Sequence, residues 1–423
     1  MASPTGRVAS LGQDGRSAVA PCRFDASNHR IEEALLPSDP SAPRVDPACS
    51  VGLLSTYPPS HCGLATFSAA LVAALSEIGD RISVVAIDDG QQADHPSTSS
   101  IQRLQNGSAA SIAAAVETLS TCDAVIVQHE YGIFGGPDGD EVLQLLDSID
   151  APAIVVLHTV PLRPTDHQRF VLEGVCDLAA RVVVMTHAAG DRLRAGYSID
   201  ESKVVNIAHG ATPPALGGPR PPTSGQPLDL LTWGLLGPGK GIEHVIDALA
   251  ALGDDRRHVR YTVMGATHPK VFARDGDLYR QSLIARCHLL GVSDVVTFDD
   301  AYRTVPDLMQ VIGAASVVLL PYDSRDQVTS GVLIDAIAAG RPVIATEFPH
   351  ATELLSDGAG IVVPHSDPIA IANAIRRVLA EPMLLPSMVT RARWLAPSLR
   401  WSTIASHYQA LCEGLALADA ASA

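Results

Sequence analysis

No two of the seven cysteines are spaced as a C-x-x-C pair: Cys22, Cys49, Cys62, Cys122, Cys176, Cys287 and Cys412 are scattered along the chain. That scatter argues against a disulfide framework or a zinc knuckle and fits a reducing, cytoplasmic setting. Basic charge is also scarce. Lys and Arg number 30 against 46 Asp and Glu, a formal net charge of −16. Such a surface disfavours nucleic acid or an anionic membrane as a partner held by general charge. No apolar run reaches the roughly 18–20 residues that span a bilayer. The opening stretch MASPTGRVASLGQDGRSAVAPC lacks the apolar core of a signal peptide. Neither a transmembrane segment nor a secreted location is expected.

What is present is an alternation. A chain of 423 residues with 47% hydrophobic side chains has room for two α/β domains, each with its own core. Residues 1–48, rich in Ser, Pro, Asp and Arg, read as a mobile arm. From residue 49 short apolar runs alternate with helical patterns. Strands are expected at 50–55, 81–87, 123–129, 153–158, 181–186 and 203–207, with helices at 64–78, 111–119, 140–146, 166–178 and 188–195. This first Rossmann-like domain closes near residue 212. Residues 213–227 (PPALGGPRPPTSGQP) are dense in Pro and Gly and read as a linker. The alternation restarts over 228–400, with strands at 228–233, 260–264, 295–298, 316–320, 342–345 and 360–363. Its expected helices are 242–252, 277–290, 332–339, 368–379 and 383–394. A last helix occupies 401–423. Strand–helix–strand units with short connections build parallel, doubly wound sheets. Two of them, facing across a cleft, place ligands at the carboxyl ends of their strands.

The residues with chemistry stand at those ends. Gly63 closes a Pro-rich loop at a helix start, where backbone amides approach an anion. The loop is not a G-x-G-x-x-G fingerprint, so a dinucleotide site is weakly supported. His129 and Glu130 end a strand ahead of a glycine-rich run and are placed to hydrogen-bond hydroxyls or move a proton. His158 ends the next strand and is expected in the cleft; His187 and His209 share such positions with less support. Gly234-Leu-Leu-Gly-Pro-Gly-Lys-Gly follows a strand and opens a helix, so Lys240, between Gly239 and Gly241, would meet an anion there. The P-loop pattern G-x-x-x-x-G-K-S/T is not met, which disfavours a kinase or ATPase. Thr329, Ser330 and Gly331 precede an apolar helix and form a second anion cradle, and Asp335, one turn in, is positioned to accept from a ribose diol. The pairs Asp138/Asp140 and Asp275/Asp277 read as helix caps and not as ligands of a metal. No metal and no cofactor are expected.

The motifs over roughly residues 50–418 resemble family 4 of the glycosyltransferases, which have the GT-B fold. They are Tyr57-Pro-Pro-x-x-x-Gly63, the strand ending in His158, the run from Gly234 to Gly241, Ala315 to Tyr322, Gly331 to Thr346, and Gly358 to Pro368. The resemblance implies a retaining, metal-independent transfer of a sugar, a hexose by preference, from a nucleoside diphosphate sugar to a carbohydrate or other hydroxyl acceptor. It implies that Lys240 binds the donor phosphates and that backbone amides at Ser330, Gly331 and Val332 contact the diphosphate. It also implies that His158 lies beside the reacting sugar, and that the helix from Trp401 crosses back to the first domain. Catalysis is assigned to His158 and Lys240, and acceptor binding to Gly63, His129 and Glu130. Donor binding is assigned to Gly239, Lys240, Gly241, Gln327, Thr329, Ser330, Gly331, Val332 and Asp335.

The chain departs from the family at three positions. The usual E-x(7)-E pair is Gln327 and Asp335 here, and an arginine expected near the lysine is Leu235. Arg303 and Arg325 are the candidate replacements for its charge. Two other classes therefore stay open: a sugar-nucleotide-binding protein without catalysis, and a GT-B-fold epimerase or phosphorylase.

Overall fold

The computed structural model describes residues 49–60, 62–88, 101–214, 226–301 and 303–422. The arm expected at residues 1–48 lies outside these residues, as do positions 215–225 of the expected linker. The first set of elements is β1 (Ser50–Ser55), α1 (Gly63–Glu77), β2 (Arg81–Ile87), β3 (Ile101–Leu104), α2 (Ala109–Ser120), β4 (Ala124–His129) and α3 (Glu141–Ser148). It continues with β5 (Ala153–Leu157), α4 (Asp166–Leu178), β6 (Arg181–Val184), α5 (His187–Gly196) and β7 (Val204–Asn206). The second set is β8 (Leu228–Trp233), α6 (Ile242–Ala251), β9 (Val259–Met264), α7 (Pro269–Asp275), α8 (Leu278–Leu290), β10 (Val296–Asp299), α9 (Val305–Ala314) and β11 (Val317–Leu320). After it come α10 (Gly331–Ala338), β12 (Val343–Thr346), α11 (Pro349–Leu355), β13 (Gly360–Val363), α12 (Pro368–Ala380), α13 (Leu384–Leu395) and α14 (Trp401–Ser422).

The strands form two all-parallel sheets, one of seven strands in the order β3-β2-β1-β4-β5-β6-β7 and one of six in the order β10-β9-β8-β11-β12-β13. Central strands such as β4 and β11 are buried along their whole length, as parallel strands covered by helices on both faces must be. Apolar clusters fill both faces of each sheet. Val125, Val127 and Val155 pack with α2, α3 and α4 on one face of the first sheet; Val51, Leu53 and Ile126 pack with α1 on the other. In that second cluster Ile404, Ala405, Tyr408 and Cys412 of α14 are buried, so the last helix docks on the first sheet.

Helix starts are set by local side chains. Thr165 and Gln168 form a reciprocal capping box at α4, and Ser330 caps α10 through Leu333. Strand β3 and helices α7, α9 and α11 were not expected from the sequence. Each of these helices has proline at its first or second position, where proline's fixed φ suits the helix and its missing N–H is not needed. The D-x-D expectation is also corrected. Asp140 and Asp277 occupy cap positions without a cap hydrogen bond. Asp138 and Asp140 instead flank His167 at 3.0 and 3.5 Å, and Asp277 engages Thr267 and Arg280.

Candidate active site

Each strand order reverses once. In the first sheet the reversal lies between β1 and β4, and in the second between β8 and β11. A crevice opens at such a point, beyond the carboxyl ends of the strands. The segments that leave these four ends begin at Thr56, Glu130, Gly234 and Pro321. The site is thus fixed by topology before any side chain is considered.

On the first-domain side, His158 follows β5 and its amide donates to the His129 carbonyl at 3.1 Å. Its Nε2 is 2.6 Å from the Gln128 Oε1, and its ring meets Phe67 edge-on at 5.0 Å. Phe67 also meets His209 and Trp401, each at 4.9 Å. Burial, with His209 and His129 adding to it, lowers the His158 pKa to about 3; burial takes His209 to about 4. Both rings are therefore neutral across ordinary pH. Gly210 lies flat against the Trp401 indole, and a Cβ there would sit 2.3 Å from it. Glu130 accepts from Thr159 at 2.5 Å and from the Tyr131 amide at 3.1 Å.

On the second-domain side, Gly241 opens α6 in the left-handed region (φ 66°), and a Cβ on it would lie 1.8 Å from the Pro321 carbonyl oxygen. That close approach joins the two loops: the Asp323 amide donates to the Gly239 carbonyl at 3.0 Å. The Lys240 ammonium rests 4.7 Å over the Tyr322 ring, and burial lowers its pKa. The Tyr322 hydroxyl in turn is hydrogen-bonded to Ser330, at the start of α10. Lys240 is therefore one aromatic ring away from the second cradle. Among the described residues Glu243, His244 and Asp323 form one acid–histidine group. It is internally engaged: His244 bonds Asp323 at 3.0 Å and the Tyr279 hydroxyl donates to Glu243 at 3.0 Å.

Two cavities meet between the domains. The larger, about 760 Å³, joins Gly63, Phe67, His158, His209 and Trp401 to Thr329, Gly331, Val332 and Asp335, with Leu308 and Met309 on its apolar wall. The smaller, about 480 Å³, is lined by His158, Thr159, Arg163, Asp326, Gln327 and Thr329. His158 and Thr329 line both. The Thr329 hydroxyl is buried without a protein partner. Gln327 donates to the Thr329 carbonyl at 3.2 Å. The Asp335 carboxyl is pushed up to about 7 by burial. Three ties hold the domains together here: Thr186 donates to the Val328 carbonyl, Arg192 to the Asp326 carbonyl, and the His187 and Ala188 amides to the Glu353 carboxylate, each at 2.8–2.9 Å.

Four expectations are corrected. His129 is 0% exposed, lies against Tyr131 and lines neither cavity, so it does not touch an acceptor in this arrangement. Ser330 is spent inside the protein: its amide donates to His350 Nδ1 at 2.9 Å and its hydroxyl caps Leu333. The free amides at the start of α10 are those of Gly331 and Val332. Arg303 is held by Asp299 at 2.5 Å and lines neither cavity, and Arg325 is exposed and also lines neither. The arginine that does reach a wall is Arg163. His209 and Trp401, weakly or not signalled in the sequence, prove to be central wall residues.

Comparison with known proteins agrees with this geometry. Residues 227–381 match the family described as Glycosyl transferases group 1. A D-inositol 3-phosphate glycosyltransferase of Streptomyces bingchenggensis is 30% identical over 247 residues, 55% of this chain and 52% of that protein. The chain thus spans about half the length of that relative. Among solved structures, a sucrose-phosphate synthase from Thermosynechococcus elongatus superposes with a TM-score of 0.69 at 20% identity, covering 88% of this chain and 100% of that one. Anabaena HepE in complex with UDP superposes with a TM-score of 0.67 at 18% identity, covering 86% and 100%. No described helix is long and apolar enough to cross a membrane. Residues 227–381 thus match the group 1 glycosyl transferase family, and the chain has the two Rossmann-like domains of the GT-B fold seen in these solved structures.

Proposed function

We propose that this chain is a retaining glycosyltransferase that moves a hexose from a nucleoside diphosphate sugar to a hydroxyl acceptor without a metal. The observation that carries the reading is the larger cavity. Its walls bring together Gly331 and Val332, at one helix N-terminus, Gly63 at another, and His158. The diphosphate rests on those amides, with Lys240 beside them and Gly239 and Gly241 shaping its loop. Asp335 accepts from the ribose diol, and Thr329 and Gln327 face the sugar. UDP bound in Anabaena HepE supports a nucleotide at this crevice. The acceptor enters from the first domain, through the smaller cavity beside Glu130, Thr159 and Arg163. Chemistry needs no protein nucleophile. The bond from the anomeric carbon to the leaving phosphate breaks, the acceptor oxygen bonds on the same face, and its proton passes to the departing phosphate oxygen. Preorganised amides and the lysine stabilise the charge that grows on the diphosphate.

The test is a thermal-shift screen against GDP, UDP, ADP and their sugar conjugates with and without EDTA, followed by assay of nucleoside diphosphate release with hydroxyl acceptors. Ligands of the folded state raise its melting temperature. A shift with one base that survives EDTA, and release that requires an acceptor, is expected. Binding without release favours the noncatalytic reading, which the exposed Leu235 and the uncharged Gln327 motivate. No shift with any nucleotide overturns the proposal.

A further inference from the structure

We infer that Gln128 is the positioning residue of the site: its carboxamide locks the His158 ring in one tautomer, Nε2–H, and leaves the Nδ1 lone pair as the ring's hydrogen-bond acceptor. The inference deepens the transferase reading, on which its kinetic consequence rests. Gln128 is 0% exposed, at the penultimate position of β4. A buried carboxamide is costly unless it is paired. Its Oε1 meets His158 Nε2 at 2.6 Å, while its Nε2 has no protein partner. Half of its hydrogen-bonding capacity is therefore unused, and the other half is given to one imidazole. A side chain of this kind is expensive as packing and acts through the ring it touches.

The tautomer follows from the partners. A carbonyl oxygen only accepts, so the imidazole nitrogen facing it carries the proton. Neutral imidazole has one N–H, so Nδ1 is left with a lone pair. The ring cannot answer by taking a second proton. It is neutral through the working range, with His129 on β4 and His209 after β7 both opposing its charge. The carboxylates around it are Asp335 and Asp326, each on the wall of a cavity that His158 lines, and Glu130, bonded to the neighbouring Thr159. The adjacent strands β4 and β5 fix the geometry: Gln128 pairs with Val156, and the His158 amide binds the His129 carbonyl. Phe67 closes the ring edge-on. The result is a ring at the junction of both cavities whose donor is committed to the protein.

The experiment is nitrogen-15 NMR of the histidine-labelled full chain, with His158→Gln used to assign the signal. The expected wild-type pattern is Nε2–H, unchanged between about pH 5 and pH 7.5, since the ring's pKa lies far below an ordinary histidine's. In Gln128→Leu the signal becomes a mixture of tautomers. In Gln128→Glu the carboxylate keeps Nε2 protonated and brings the ring's titration up into that window. The kinetic counterpart is a shift of the acid limb of kcat/KM to higher pH in Gln128→Glu. Gln128→Leu lowers kcat by about tenfold to a hundredfold with little change in donor KM. An Nδ1–H ring in the wild type, or a tautomer indifferent to Gln128→Leu, overturns the inference whatever the variants' activities. A locked ring in a chain that transfers no sugar overturns the transferase reading alone.

Discussion

Replacing His129 by leucine removes a specific acid sensitivity from this protein. His129 is fully enclosed, neither ring nitrogen has a protein partner, and burial lowers its pKa to about 4. An unfolded histidine titrates near 6.5. The folded pKa is the lower one, so the unfolded chain binds the extra proton. Stability is complete above about pH 6.5 and is lost as pH falls towards about 4. At pH 5 the deficit is about 1.5 pH units at 1.36 kcal/mol each, about 2 kcal/mol from this one ring. Leucine, of similar volume, has no such slope. It also removes two unpaired polar atoms, so it is neutral or stabilising at pH 7.

The measurement is urea unfolding of wild type and His129→Leu, followed by circular dichroism at pH 7 and pH 5. The variant's advantage should be about 2 kcal/mol larger at pH 5. The comparison isolates the ring because other titrations are common to both proteins. Asp335, held near 7, works in the opposite direction: it gains stability as pH falls, by about 2 kcal/mol from pH 7 to pH 5. His350, 3% exposed and lowered to about 3, adds a loss like that of His129. His158 and His209, lowered to about 3 and about 4, add losses of the same kind. An advantage equal at both pH values refutes the reasoning, since His129 would then titrate alike in the two states.

Three further outcomes follow from the same geometry. Lys240→Ala should weaken binding of the preferred nucleoside diphosphate by about tenfold to a hundredfold, the worth of one charge-assisted contact, read by calorimetry; unchanged affinity would remove Lys240 from the phosphate site. Wild-type donor affinity should rise with pH through about 7, as Asp335 ionises and accepts from the ribose diol, and Asp335→Asn should flatten that dependence. Gly210→Ala should lower stability by about 1–3 kcal/mol, because its Cβ would fall 2.3 Å from the Trp401 ring; thermal unfolding reads the loss, and an unshifted melting temperature would mean that the α14 junction yields freely.

Most of the framework is written in local pattern. Strands β2, β8 and β13 and helix α4 fall on the residues that apolar runs and caps indicate, and the glycine-rich loops mark the two switch points. What escaped is non-local. Phe67, His158, His209 and Trp401 converge on one cavity from four distant segments, and no periodicity announces that meeting. The enclosure of His129 escaped for a related reason. In a parallel sheet buried on both faces a strand's last residue looks, in sequence, like one that opens on the crevice. Only the Tyr131 ring, folded back against the imidazole, decides otherwise.

The cradle at α10 shows what the sequence leaves undetermined even where it points to the right place. Thr329, Ser330, Gly331 and Val332 all offer donors at a helix start, and sequence alone assigns them equally to a ligand. The fold divides them. His350, twenty residues later, takes the Ser330 amide, and the Ser330 hydroxyl turns back to Leu333. Those bonds hold the first turn rigid; the next two amides, in the first turn of the helix, have no intrahelical partner, and the Thr329 hydroxyl is unmatched by protein. A buried polar group without a partner costs stability, and the Thr329 hydroxyl is such a group on the wall of both cavities. The donors that bind a ligand are thus identified by subtraction: they are the ones the protein declines to use for itself.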